Sequence, residues 1–213
     1  MRKLKDARRP EILDVALAIA DERGLDAVSM RAVAQRLGLT PMALYGYFRS
    51  KEELLDGLVG RLLAEVPLPA DEIGWRATLE QLTYGVREVA RRHPTAMPLL
   101  LTRPAVSPAA VRVVDVVYRA LLAAGVPAAD VPRVERMISS FSLGHLISET
   151  SGRFTGGTLD PAQRRAQFAP GELPGHDRVA EVLNRPGDLD AELRADLDDV
   201  LGLVAALARP PLT

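Results

Sequence analysis

Between Thr40 and Leu55 the chain reads TPMALYGYFRSKEELL, and three of its eight Tyr and Phe residues fall between Tyr45 and Phe48. Tyrosine offers a hydroxyl donor on a flat ring, and Arg49 and Lys51 stand beside it. Those are the side chains that bond base edges and phosphates. Thr40 and Ala43 carry methyl groups that suit thymine methyls, while uncharged Pro41 and Met42 allow close approach to a groove. Tyr47 leans toward the duplex backbone. Lys51 opens a helix, where free amides and the helix dipole already favour a phosphate. Upstream, Ser29 and Arg31 open another helix, and a guanidinium there can grip a guanine edge for about 1–3 kcal/mol of discrimination. The candidate nucleic-acid contacts are therefore Ser29, Arg31, Thr40, Pro41, Met42, Ala43, Tyr45, Tyr47 and Lys51.

A second group lies further along. His145 and Glu149, four residues apart, share one face of a helix expected at 130–150. With Met97, Tyr118 and Phe141, and with His93 at a helix end, they are candidates to border an apolar cavity for a small-molecule effector. Each also has an ordinary structural reading, as core or as a surface ion pair. Two imidazoles and a carboxylate would suit a metal. Nothing fixes His93 near the other two, however, and no nucleophile or general-base motif accompanies them. Neither an enzyme, a metal nor a cofactor is expected. The run MISSFSLGHLISETSG is rich in small residues, which let another helix approach closely. Ser140 and Gly144 there, with Leu197, Leu201 and Val204 of the last helix, are the candidates for a four-helix dimer interface, packing within one subunit being the alternative.

The elements that must position these groups are helices throughout. Apolar residues recur at spacings of three and four, and β-branched alternation is almost absent. A first helix is expected from Pro10 to a stop at Gly24, and a second from the Ser29 cap to Gly38. A third runs from Pro41 to Phe48 under a Thr40 cap. Ser50 and Glu53 form a capping box for a fourth, reaching about Glu65. Val33, Leu37, Leu39, Leu44 and Phe48 can face inward together. The break VPLPADEIGW suggests two domains, 1–66 and 71–213. Further helices are expected near 72–92, 108–124, 130–150 and 189–208, with a short one at 93–101. The Gly- and Pro-rich stretch 152–187 leaves room for pieces at 161–168 and 176–183.

Bulk composition narrows the class. Among 213 residues 47% are apolar, enough for a core, and none is cysteine, which excludes disulfides and thiolate metal sites. No run approaches a membrane span, and the basic start lacks the long apolar core and cleavage site of a signal peptide, so a cytoplasmic location is expected. Net charge is −1, yet residues 1–51 hold ten Lys and Arg against six Asp and Glu, and the remainder 17 against 22. Only the first part is suited to a polyanion.

SMRAVAQRLGLTPMALYGYFRSKEELL resembles the DNA-binding segment of the tetracycline-repressor (TetR) family of transcriptional regulators. The match runs nearly position by position over 29–55 and, with the first helix, covers about 9–66. Tyr47 stands where histidine is commonest in the family. The resemblance implies an all-α homodimer with an N-terminal helix-turn-helix and a larger helical ligand-binding and dimerisation domain. Residues from Gly74 to Leu101 and the Pro-started helix beyond are more loosely similar to the tetracycline-repressor subgroup. The implied partners are a palindromic double-stranded operator and an unknown small-molecule effector, with repression as the usual sign. A dimer would also set two recognition helices about 34–36 Å apart, as successive major grooves require.

Overall fold

In the computed structural model, residues 2–69, 73–153, 166–169, 171–183 and 187–208 are described, and among them every regular element is helical. Helix α1 spans Arg2–Arg23, and a 3-10 turn, Leu25–Ala27, follows it. Helix α2 is Met30–Arg36, α3 is Pro41–Tyr45 and α4 is Lys51–Leu63. The larger part consists of α5 (Trp75–Arg92), α6 (Leu99–Thr102), α7 (Pro108–Ala123) and α8 (Val131–Thr150), then α9 (Pro174–Leu183) and α10 (Leu189–Leu207).

Most boundaries follow from local chemistry. Ser29, Thr40, Ser50 and Ser107 each accept a hydrogen bond from the amide three residues on, which satisfies a donor that a helix start otherwise leaves free. The link from α2 to α3 is a glycine-terminated cap. Gly38 takes φ 66°, its amide bonds Gln35 O, and the Leu39 amide reaches back to Ala34 O at 2.8 Å.

Three expectations need correction. Helix α1 does not begin at Pro10 but runs through it from Arg2. Proline removes one helical hydrogen bond and biases the preceding residue away from helix. Here that residue, Arg9, is held by distant partners: its guanidinium donates to Tyr47 O at 2.7 Å and Glu53 Oε1 at 3.1 Å, and stacks 4.2 Å over the Phe48 ring. Helix α3 stops at Tyr45 rather than Phe48, although turn bonds from the Tyr47 and Phe48 amides to Leu44 O continue the coil. In the capping box Ser50 accepts from the Glu53 amide as expected, but Glu53 reaches back to the Arg49 amide at 2.7 Å, not to that of Ser50. Of the piece expected at 161–168, residues 161–165 lie outside the described residues, and 166–168 form a turn and bend.

An apolar cluster joins the two parts of the chain. It starts from Ile12, Ala16, Val33, Leu44 and Phe48, passes through Leu58 and Leu62 of α4, and continues into Leu82, Val89, Met97 and Leu146. Leu37 and Leu39 pack against its edge. A second cluster, Leu79, Leu121, Val134, Ile138, Leu197, Leu201 and Val204, binds α10 to α5, α7 and α8. The α4 helix thus packs on α1 of the first part and on α6 and α7 of the larger bundle.

Candidate nucleic-acid interface and ligand cavity

Burial of one face of α3 exposes the other. Leu44 is fully buried, so Thr40, Pro41, Met42, Ala43 and Tyr45 are turned to solvent, Met42 being 78% and Tyr45 46% exposed. Leaving a methionine and a tyrosine uncovered costs apolar area that the core could have used. Ser29 is half-buried because it caps α2, and Arg31 is exposed on the first turn beside it. Tyr47 is half-buried and touches the Arg8 side chain, which, after Glu11, helps to hold the Arg8 guanidinium above its usual pKa.

The cations divide into two sets. Arg8 pairs with Glu11, Arg9 with Glu53 and Arg36 with Glu22. Among the described residues Arg31, Arg49 and Lys51 have no ion-pair partner within 4 Å, and they flank the exposed face of α3. Arg49 stands beside the tyrosines in the sequence but was not one of the nine candidate contacts. Glu53 supports the end of α4 that carries Lys51. The Arg49 amide holds the Glu53 carboxyl below its ordinary pKa; partial burial opposes this and Arg9 reinforces it.

The expected effector residues do not converge. His93 Nδ1 lies 2.8 Å from Asp21 and its Nε2 3.2 Å from Glu65, which ties the end of α5 to α1 and to the turn after α4. Met97 is fully buried in the first cluster, and Tyr118 packs against the second. Phe141 is half-buried with its ring 6.1 Å from that of His145. His145 Nδ1 is 3.2 Å from Asp196 of α10. Glu149 accepts from Arg87 Nε at 3.0 and 2.9 Å and from Arg91 Nη2 at 3.1 Å, while Arg87 also meets Asp190 at 2.6 Å. Burial works against the Arg87 charge, but its bonds to Glu149 and Asp190 outweigh that and raise its pKa. Glu149 is therefore buried and bonded to Arg87 and Arg91, and among the described residues no group of three His, Asp or Glu side chains can hold a metal.

A cavity of about 180 Å³ opens instead one helix turn away. Its walls are Val59 and Leu63 of α4, Leu79, Leu82, Thr83 and Val86 of α5, Val113, Val114 and Val117 of α7, and the Glu135–Leu143 face of α8, with Leu100 and Ala105 at the side. None of the six expected residues lines it. The serine-rich run of α8 was the available signal, and the structure splits it: Ser139 and Ser142 face the cavity, whereas Ser140 is exposed. A larger crevice between α1, α4 and the start of α7 contains Arg9, Arg61 and Asp56, but Glu53, Asp14 with Glu65, and Arg103 already pair with them.

The stripe expected to form the dimer interface is internal. Leu197, Leu201 and Val204 are buried in the second cluster, as the packing alternative requires. The side of α10 left outside carries Ala195, Asp199, Gly202, Leu203 and Ala206. A Cβ added at Gly144 or Gly202 would meet nothing within 4 Å, so both backbones are open to close approach.

Residues 12–58 match the profile of the family described as "Bacterial regulatory proteins, tetR family", and residues 68–187 match "Tetracyclin repressor-like, C-terminal domain". The chain belongs to the TetR family. It is 33% identical over 174 residues to the HTH-type transcriptional repressor DrrR1 of Streptomyces coeruleorubidus, covering 79% of this chain and 62% of that one. It is 31% identical over 169 residues to the class A tetracycline repressor protein of Escherichia coli, covering 75% and 74%. The chain spans 62% and 61% of the length of DrrR1 and of a related Saccharopolyspora erythraea regulator. Among solved structures it resembles ActR of Streptomyces coelicolor in complex with (S)-DNPA (TM-score 0.80, 21% identity, 94% of this chain and 98% of ActR). It also resembles BioQ with its double-stranded DNA operator (TM-score 0.66, 24% identity, 93% and 98%). At these identities the likeness concerns the fold. No helix of the described residues of this TetR-family chain is long and apolar enough to cross a membrane.

Proposed function

We propose that the protein is a homodimeric repressor that grips a palindromic operator with its first 66 residues and is released by a small molecule bound in the domain from residue 71 onward. The observation that carries this reading is the uncovered face of α3, bordered by Arg31, Arg49 and Lys51, cations without an ion-pair partner among the described residues. Ala43 and the Thr40 methyl meet thymine methyls in the major groove, Tyr45 and Arg31 bond base edges or phosphate, and Lys51 holds a phosphate at the start of α4. Pro41 and Met42 fit the groove without charge, and Ser29 and Tyr47 support the backbone contacts.

Dimerisation is assigned to the outer sides of α8 and α10, with Ser140 and Gly144 meeting Gly202, Leu203 and Ala206 of a second copy. The effector site is the cavity, not the set around His145. Its wall includes Val59 and Leu63, and α4 carries Lys51 at its other end. An effector that binds better when α4 is displaced weakens operator binding by the same factor by which the operator weakens effector binding. Moving the protein from mostly bound to mostly free takes up to about 10⁴-fold differential affinity.

Fluorescence anisotropy on the DNA flanking the protein's own gene, against scrambled DNA at two salt concentrations, tests this. Saturable binding with a clear preference for the flanking DNA is expected. Equal, salt-abolished binding to both would remove the operator reading and leave only phosphate attraction.

A further inference from the structure

The effector cavity is apolar except along α8 and at Thr83 of α5, and the composition of that polar lining selects a ligand charge. Glu135, Ser139 and Ser142 stand at i, i+4 and i+7 on α8, so one helix face presents all three to the space. The Ser139 hydroxyl donates to Glu135 Oε1 at 2.7 Å. That bond leaves the other carboxylate oxygen and the Ser139 lone pairs as acceptors. Ser142 is 8% exposed, and its shielded hydroxyl has no hydrogen-bond partner among the described residues. A buried hydroxyl left unbonded is costly, and a ligand that bonds it recovers that cost. On the facing helix Thr83 donates to Leu79 O, which again leaves only acceptor capacity toward the cavity. Among the described residues no Arg, Lys or His lines the space and Glu135 has no ion-pair partner.

We propose that the effector is a small hydrophobic cation, an apolar ring system carrying a protonated amine that docks on Glu135 and Ser139, with a polar atom reaching Ser142. This inference rests on the cavity being the effector site. The valine and leucine walls cover the ring, and the α8 polar face orients the amine. A carboxylate or phosphate ligand would face Glu135 with no cation to offset it, so anions are excluded by charge rather than by shape. About 180 Å³ is the scale of a single ring with a short tail, since an apolar cavity of roughly 150 Å³ takes up benzene.

The test uses the full-length protein and three probes of nearly equal size: 2-phenylethylamine, 2-phenylethanol and 3-phenylpropionate, titrated by calorimetry. The amine is expected to bind at least tenfold tighter than the alcohol, and the acid weakest. Glu135→Gln should reduce the amine to the alcohol's affinity, while Ser142→Ala weakens both. Val86→Phe, which fills the cavity, should abolish binding of every probe. An acid that binds as tightly as the amine, with both lost in Val86→Phe, overturns the cation assignment and leaves the cavity as the effector site. Binding that Val86→Phe leaves intact, or no saturable binding of any probe, overturns the cavity reading itself. The ranking of the three probes on the unaltered protein needs no variant to fold.

Discussion

Glu149 separates a ligand group from a structural anion, and its substitution gives the most direct measurement. Its carboxylate and the Arg87 guanidinium are 6% and 5% exposed, joined by two contacts at 3.0 and 2.9 Å. Truncating one partner of a buried pair leaves the other charged and desolvated, which typically costs about 3–5 kcal/mol. Arg87 keeps Asp190 at 2.6 Å, but that carboxylate is 66% exposed and solvent weakens its help. Glu149→Ala should therefore lie near the lower end, about 3 kcal/mol. For a chain of this length that lowers Tm by about 6–12 °C. Thermal unfolding followed by circular dichroism, at one fixed protomer concentration because the dimer contributes, would read it. Replacing both partners, as Arg87→Met with Glu149→Leu, should return stability to within about 1 kcal/mol of the parent, since the penalty belongs to the orphaned charge. A loss below about 1 kcal/mol in Glu149→Ala, accompanied by weaker ligand binding, would refute the structural assignment and restore Glu149 to the effector site.

Other outcomes follow from the same geometry. Lys51→Ala should weaken operator binding with little change in Tm, and with two copies per dimer should reduce the slope of log K against log salt by about 1.8, which anisotropy across salt concentrations measures. Tyr45→Ala should behave likewise in affinity; an equal loss of stability would mean that the ring belongs to the core. Leu201→Ala removes a fully buried side chain and should cost about 2–5 kcal/mol. Leu203→Ala, at a position 47% exposed, should leave protomer unfolding nearly unchanged yet shift sedimentation toward monomer. Glu53 has a folded-state pKa below its ordinary value, so its contribution is present above about pH 4.5 and is lost as the pH falls further. The stability gap between parent and Glu53→Gln, from urea midpoints, should narrow between pH 7 and pH 4; a constant gap would mean that the Arg49 amide and Arg9 contribute nothing through charge.

Much of the first 66 residues was legible because the signals there are local. A Ser or Thr cap works through an amide three residues away, and Gly38 relieves a strain set by its own φ. The face of α3 followed from Leu44 and Phe48, whose burial forces their neighbours outward. Arg9 shows the limit, because Pro10 looked like a helix start until partners 38 and 44 residues away held the chain in register. Along α8 the serines looked alike in sequence, yet Ser140 is exposed while Ser142 is buried against the cavity. Helical spacing says that two residues share a face, not what covers it.

The sequence by itself thus determined the helical class, the caps and the helix-turn-helix, and through that motif the TetR family. Only the tertiary structure decided that Leu197, Leu201 and Val204 pack inward, that His93, His145 and Glu149 meet separate partners, and that the cavity lies along Glu135, Ser139 and Ser142. A cap or a turn is an interaction of neighbours and is written in adjacent letters. A cavity is the space left where α4, α5, α7 and α8 fail to fill the volume between them, and its walls come from residues as far apart as Val59 and Leu143.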